Sequence, residues 1–141
     1  MQVTAHLKWI HHFSCMKFNA FVILMISMTA LIGCNRNIYD SATIRQLPKE
    51  EYLAKLASTP GAYLLDIRTG MEYRRAHIDG AVSMSLLSSA FDDRIAELDT
   101  ARPVFLYCET AHRSPFATMK LKKAGFTEIY DLEKGYSTIR E

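Results

Sequence analysis

The sequence predicts an α/β domain built on a parallel sheet, and three features support this prediction. Short apolar segments alternate with amphipathic segments from residue 44 to the C-terminus, as in chains that form strand–helix–strand units. Residues 62–67 and 104–107 have continuous apolar centres, which are typical of strands covered on both faces. Asp66, Arg68 and Cys108 fall at the C-terminal ends of these two segments, where α/β proteins bind their ligands. We therefore expect right-handed crossovers between parallel strands and a functional site at that edge.

The elements before the central strand follow from local signals in the sequence. Residues 44–47 predict a strand, and residues 48–56 predict a helix that begins at a proline and ends before the breaker Thr59-Pro60-Gly61. After the strand at residues 62–67, the prediction places in order a short helix at 71–75, a turn at 77–80, a strand at 81–84 and an amphipathic helix near 91–98.

The central strand, Val104–Tyr107, leads directly into a short polar loop that begins with Cys108 and closes on Arg113. Ser114 is predicted to be the N-cap of the next helix, with Pro115 at its first position. The loop therefore ends at a helix N-terminus, an environment that favours a thiolate or a bound oxyanion. Cys108 is thus a candidate nucleophile, and the alternative is an inert core cysteine. The helix is expected to run to residue 124, with Gly125 as its stop, and residues 128–132 predict the last strand.

The N-terminal segment has the pattern of a secretory signal. An apolar run follows Lys17 and ends in Leu31-Ile32-Gly33-Cys34, which resembles the bacterial lipobox. We predict a signal peptide at residues 1–33, with an upstream extension before Met16, and a lipidated tether at residues 34–43. The resemblance implies lipidation of Cys34 and a location in the bacterial cell envelope, on its extracytoplasmic side. A retained membrane span is the alternative, although the run is shorter than the ~18 apolar residues that a span usually needs.

Charge and cysteine content narrow the possible functions. The chain has 17 basic and 15 acidic side chains, and Lys8 and Lys17, in the predicted signal, account for the net charge of +2. A neutral domain without a basic run gives no support for nucleic-acid binding. If Cys15 is removed with the signal and Cys34 carries lipid, Cys108 has no disulfide partner. A lone free thiol in an exported protein indicates chemistry.

Several motifs in register resemble the rhodanese-like domain in their order and spacing. They are residues 65–69 (LDIRT), Glu72-Tyr73, residues 77–81 (HIDGA), the loop from Tyr107-Cys108 to Ser114, and residues 124–126 (AGF). The resemblance covers residues 44–141. It implies a three-layer α/β domain with a parallel sheet of about five strands and helices on both faces.

The resemblance also implies sulfurtransferase chemistry, in which a loop cysteine carries sulfur as a persulfide. Four residues separate Cys108 from Arg113, as in the sulfurtransferases, whereas the related phosphatases and arsenate reductases have one more. The expected substrates are a small sulfur donor such as thiosulfate and an acceptor, cyanide or a thiol. No metal or organic cofactor is expected, and the protein is expected to be a monomer. The alternative is a catalytically weak rhodanese-like module of the cell envelope that binds a partner or relays redox equivalents.

Roles for the loop residues come from the same resemblance. Cys108 is the expected catalytic residue, and the expected substrate-binding residues are Arg113, Glu109, Thr110, Ala111 and His112. Asp66, Arg68 and Ser114 are expected to support the loop. Arg113 has two open roles, either binding the donor or pairing with a carboxylate. Two positions depart from the family pattern: Ala111 stands where glycine is common, and Glu109, where a basic residue is common, would repel anionic donors if it pointed inward.

Overall fold

The structure, a computed structural model, describes Tyr39 and residues 41–140. The predicted signal peptide, the lipidation site at Cys34 and most of the predicted tether lie outside the described residues. Within the described part of the chain, no helix has the length and apolar character needed to cross a membrane.

The described residues form one five-stranded parallel sheet with its helices on both faces. The strands are β1 (Ile44–Leu47), β2 (Tyr63–Asp66), β3 (Val82–Ser83), β4 (Val104–Tyr107) and β5 (Ile129–Leu132). The helices are α1 (Lys49–Ala57), α2 (Gly70–Arg75), α3 (Phe91–Ala96), α4 (Ser114–Ala124) and a final 3₁₀-helix (Tyr136–Ile139). The strand order is β1-β5-β4-β2-β3, so β4 lies at the centre of the sheet. The predicted α/β fold with a parallel sheet is confirmed.

Alternation along the central strand divides the core into two layers. Phe105 and Tyr107 of β4 point to one face, where they pack with Tyr52 of α1. Leu106 and Cys108 point to the other face, in the cluster that includes residues from α3 and α4. All four residues of β4 are completely buried. This burial agrees with the continuous apolar sequence from which the strand was predicted.

The start of α4 differs from the prediction, and the assignment of Ser114 as the N-cap was wrong. Arg113 is the N-cap residue, since its carbonyl oxygen accepts the amides of Phe116 and Ala117. Ser114 is instead the first helical residue and its side chain is completely buried. Its hydroxyl group donates a hydrogen bond to the sulfur atom of Cys108. The 3₁₀-helix at the C-terminus was not predicted.

Candidate functional site

Cys108 lies directly after β4, beneath the loop that closes on Arg113. Its side chain is 0% exposed, and the Ser114 hydroxyl donates a hydrogen bond of 3.4 Å to its sulfur atom. The sulfur and the hydroxyl are brought together because the loop returns to the first turn of α4. The sulfur atom therefore has a hydroxyl donor directed at it, and the role of Cys108 as a nucleophile stays a prediction.

Arg113 pairs with a carboxylate of α2, which is one of the two roles left open for it. Its Nη2 donates to Glu72 Oε1 at 2.8 Å and its Nη1 to Glu72 Oε2 at 3.1 Å. Glu72 also accepts bonds from the backbone and hydroxyl of Thr69 in a capping box. The loop is therefore tied to the N-terminal turn of α2 by a bidentate ion pair.

This ion pair depends on pH only in the acid range. The hydrogen bonds from Arg113 are the main reason that the pKa of Glu72 falls from 4.5 to about 2. A lowered folded-state pKa means that the pair contributes stability above the unfolded value and loses it as the pH falls towards 2. The pair is therefore intact throughout the neutral range.

Arg68 is a buried cation that joins four parts of the site. It is 2% exposed, and its Nη2 atom lies 2.6 Å from Asp66 Oδ2 at the end of β2. The same guanidinium group donates to Glu109 Oε2 at 2.9 Å and to the Ala76 carbonyl oxygen at 2.6 Å. Its central carbon lies 3.9 Å from the centre of the Tyr136 ring. Arg68 thus connects the end of β2 to the loop through Asp66 and Glu109, and the supporting role of Asp66 and Arg68 stays a prediction.

The carboxylate of Glu109 is held by two arginines. It forms ion pairs with Arg68 and with Arg140 beyond the 3₁₀-helix. Burial disfavours the charge on Arg68, but the hydrogen bonds to Asp66 and Glu109 outweigh burial and raise its pKa. Two cations therefore compensate the charge of Glu109, which reduces its repulsion of an anionic donor.

The remaining loop residues form the turn above the sulfur. The Thr110 hydroxyl lies 2.8 Å from His112 Nδ1, and both side chains are exposed. Ala111 has a φ angle of 61°, in the left-handed region that favours glycine. Arg113 and Glu109 contact carboxylate and guanidinium groups, while Thr110 and His112 contact each other, so substrate binding by these side chains stays a prediction.

Replacing Ala111 with glycine is expected to raise the free energy of unfolding by about 1 kcal/mol, because a Cβ atom is strained at this φ. Chemical denaturation of the two proteins measures the difference. Lys134 has a φ of 60° and serves as the matched site, where Lys134→Gly should give a gain of the same size. A loss of stability at residue 111 would show that the alanine side chain is needed for packing.

Comparison with known proteins shows the family of this chain. Residues 49–141 match the family model described as the rhodanese-like domain. The chain belongs to the rhodanese-like family. It is 35% identical over 119 residues to the Bacillus subtilis protein YqhL, covering 84% of both chains. It is 31% identical over 96 residues to the thiosulfate sulfurtransferase GlpE of Stutzerimonas stutzeri, covering 68% of this chain and 84% of that one.

A solved rhodanese-like structure shows the same fold. The crystal structure of the Anabaena protein Alr3790 superposes with a TM-score of 0.59, covering 67% of this chain and 75% of the other, at 24% identity. Together with the family match, this similarity confirms the rhodanese-like fold. Sulfur transfer is therefore chemistry found within the family to which this rhodanese-like chain belongs.

The C-terminal segment also holds the loop, through two backbone hydrogen bonds that the sequence did not predict. The amide of Tyr136 donates to the Cys108 carbonyl oxygen at 2.8 Å, and the amide of Ser137 donates to the Glu109 carbonyl oxygen at 3.1 Å. A Cβ atom on Gly135 would lie 2.6 Å from the Cys108 carbonyl oxygen. Gly135 is thus a site residue of the rhodanese-like domain because the loop backbone passes directly against it.

The predicted site also lacked Glu72, the partner of Arg113, and Asp131, a buried residue of β5 in the strand next to β4. Glu72 had a usable signal, since Thr69-x-x-Glu72 is a capping box whose carboxylate can reach a second partner. Asp131 had a weaker signal, a carboxyl group within the last apolar strand segment. A buried charge at such a position requires partners, and the sequence alone does not say which they are.

Proposed function

We propose that this rhodanese-like protein is a sulfurtransferase that moves a sulfane sulfur through a persulfide on Cys108. The observation that carries the proposal is the thiol itself: it lies at the C-terminal end of the central strand, with the Ser114 hydroxyl directed at its sulfur. The family match and the thiosulfate sulfurtransferase among the relatives support this reaction class.

The proposed reaction has two displacement steps. The Cys108 thiolate attacks the outer sulfur of the donor, the donor's sulfur–sulfur bond breaks, and its electron pair leaves with the remainder of the donor, which is sulfite for thiosulfate. An acceptor, cyanide or a thiolate, then attacks the outer sulfur of the persulfide. The second sulfur–sulfur bond breaks and its electron pair returns to Cys108 as a thiolate. No net oxidation or reduction of the protein occurs over the cycle.

The arginines near the loop are already paired with carboxylates. This pairing favours sulfur donors whose binding does not need an unpaired cation. Arg68 is matched by Asp66 and Glu109, and Arg113 is matched by Glu72. Attraction of the thiosulfate dianion is correspondingly reduced, because each guanidinium group already has a carboxylate partner. We therefore propose a small thiol persulfide as a second class of sulfur donor.

Mass spectrometry of the intact protein tests the proposal. After treatment with thiosulfate or with cysteine persulfide, we expect Cys108 to gain the mass of one sulfur atom, and cyanide or a reducing thiol should remove it. Cys108→Ser is the control and should gain nothing. Loading by neither donor would overturn the sulfurtransferase proposal.

The second candidate is a rhodanese-like binding or redox-relay module. The observation that favours it is the same pairing of Arg68 and Arg113 with carboxylates, which leaves the charges around the loop balanced. A binding module would keep its fold and its loop while failing to accumulate a persulfide. The mass measurement therefore separates a binding module from a sulfurtransferase.

We also propose that the mature protein begins at a lipidated Cys34 and is held at the bacterial cell envelope by that lipid. The lipobox-like residues 31–34 after an apolar run support the proposal. Expression in bacteria with a palmitate analogue should label the full chain, and Cys34→Ser should abolish the label. Label that persists in Cys34→Ser would overturn the anchor without affecting the sulfurtransferase proposal.

A further inference from the structure

Large apolar side chains are exposed at the edge of the sheet that carries the loop. Among the described residues, the exposed ones are Met71, Val82, Leu87, Phe116 and Met119. All of these except Val82 belong to the segments that follow β2, β3 and β4, and these three strands are neighbours in the sheet. A single exposed apolar residue is ordinary, whereas a group of them at one edge points to an interaction surface.

Two of these residues are connected to the loop through Arg113. Met71 precedes Glu72, whose carboxylate accepts both hydrogen bonds from the Arg113 guanidinium group. The amide of Phe116 donates to the Arg113 carbonyl oxygen at 3.2 Å. Met71 is 68% exposed and Phe116 is 67% exposed. Solvent therefore meets apolar side chains next to both partners of the ion pair that closes the loop.

Leu87 is connected to the same edge by backbone hydrogen bonds. The amide of Leu86 donates to the Ile67 carbonyl oxygen at 3.1 Å, and the amide of Ile67 donates to the Tyr107 carbonyl oxygen at 3.1 Å. Tyr107 is the residue before Cys108. The segment that carries Leu87 thus lies beside the end of β2, which lies beside the strand that leads to the thiol.

The exposed face of α4 continues this surface and adds a positive charge. Phe116, Met119 and Lys123 share one face of the helix, because they are three and four residues apart. Lys120 forms an ion pair with Asp92, whereas no described residue forms an ion pair with Lys123. A molecule that binds here is therefore expected to bring apolar side chains and a carboxylate.

We propose that a polypeptide with an acceptor cysteine docks on this surface and receives sulfur from Cys108. The docking surface is formed by Met71, Leu87, Phe116, Met119 and Lys123. In the partner, apolar residues flank the acceptor cysteine and acidic residues lie close by. This inference rests on the proposed function, and it narrows the acceptor to a thiol of a polypeptide.

The extent and position of the docking surface favour a polypeptide over other occupants. Phe116 and Lys123 are seven residues apart, which is about 10 Å along the helix. Cyanide and small thiols are too small to cover the exposed side chains over this length. A lipid surface would cover them, but it would bring no sulfur acceptor to the loop beside them. A polypeptide does both.

The transfer step uses only the two cysteines. The acceptor cysteine loses its proton to water, and its sulfur bonds to the outer sulfur of the Cys108 persulfide. The bond between the outer sulfur and the Cys108 sulfur breaks, and its electron pair stays on Cys108. The outer sulfur leaves as a persulfide of the partner, so the step needs no oxidant or reductant.

Sulfur transfer from the full chain to two matched peptides tests the proposal. In one peptide leucines flank a central cysteine and two glutamates follow, and in the other serines replace the leucines. Mass spectrometry follows the gain of one sulfur atom by each peptide, with Cys108→Ser as the background. We expect kcat/KM to be about tenfold higher for the leucine peptide, because its leucines are buried on the docking surface.

Variants assign this preference to particular side chains. Phe116→Ser and Met119→Gln should each lower the ratio of the two kcat/KM values by about threefold or more. A general loss of activity cancels in this ratio, because both peptides are measured with the same variant. Val82→Thr is the control, since Val82 is 47% exposed on the edge strand β3, and its ratio should equal that of the wild type. Lys123→Glu should prefer a leucine peptide in which lysines replace the glutamates.

Equal kcat/KM values for the two peptides, or a preference that persists in both Phe116→Ser and Met119→Gln, would overturn the docking surface. Fluorescence anisotropy with labelled peptides that carry serine in place of cysteine measures binding without sulfur transfer. Tighter binding of the leucine peptide without any persulfide on Cys108 would support the docking surface and remove the sulfurtransferase proposal. Persulfide formation with equal peptide binding would do the reverse. Equal peptide binding together with binding to phosphatidylglycerol vesicles that Phe116→Ser abolishes would assign the surface to a membrane and overturn the proposal.

Discussion

Replacing Arg68 with methionine is expected to lower the free energy of unfolding by about 3–5 kcal/mol, because it leaves the buried charge of Asp66 uncompensated. Both side chains are almost completely inaccessible to solvent, at 2% and 0% exposure. The loss also removes the contacts of the guanidinium group with Glu109 and the Ala76 carbonyl oxygen. Urea denaturation of the two proteins measures the effect.

Two variants show whether the lost charge pair causes the effect. Asp66→Asn combined with Arg68→Met should be more stable than Arg68→Met alone, since the double variant leaves no buried unpaired charge. Lys120→Met is the exposed control, because Lys120 and Asp92 form an ion pair at the surface, and it should cost about 0.5 kcal/mol or less. A loss of similar size in Arg68→Met and Lys120→Met would contradict the buried-pair argument.

The sequence predicted those features of the site that depend on residues close together in the chain. The continuous apolar run Val104–Tyr107, the polar loop after it and the helix that begins beside Pro115 are all local, and each was found. Ser114 shows the limit of local reasoning. Its preference for the N-cap position was outweighed by a tertiary contact, the hydrogen bond to Cys108 Sγ, which the capping pattern does not contain.

The partners of the loop residues depend on strand order, which the sequence does not specify. Arg113 and Glu72 are 41 residues apart in the chain, as are Arg68 and Glu109. They meet because β2, which precedes Arg68 and Glu72, lies beside β4, which precedes Glu109 and Arg113. The same order brings Asp131 next to the strand that ends at Cys108. The sequence shows these carboxylates and arginines but not which of them pair.

Gly135→Ala is expected to destabilise the protein by about 2–6 kcal/mol and to displace the loop that carries Cys108. Gly135 has a φ of 74° and a ψ of −166°, a backbone region that is essentially restricted to glycine, and alanine there costs roughly 1–3 kcal/mol. In addition, the new Cβ atom would lie 2.6 Å from the Cys108 carbonyl oxygen and 2.7 Å from the Glu109 carbonyl carbon. Both atoms belong to the backbone and cannot rotate away, so overpacking adds about 1–3 kcal/mol.

Gly80→Ala separates the two causes, because Gly80 has a φ of 81° but no atom within 4 Å of the position that a Cβ atom would take. It should show the cost of a positive φ without any overpacking, so Gly135→Ala should be the less stable of the two variants. The rate at which iodoacetamide alkylates Cys108 reports on the loop. We expect it to change in Gly135→Ala and to stay at the wild-type value in Gly80→Ala. Equal stabilities and equal alkylation rates in the two variants would show that the loop does not depend on the close approach of Gly135. The hydrogen bonds from the Tyr136 and Ser137 amides would then not be what positions the thiol.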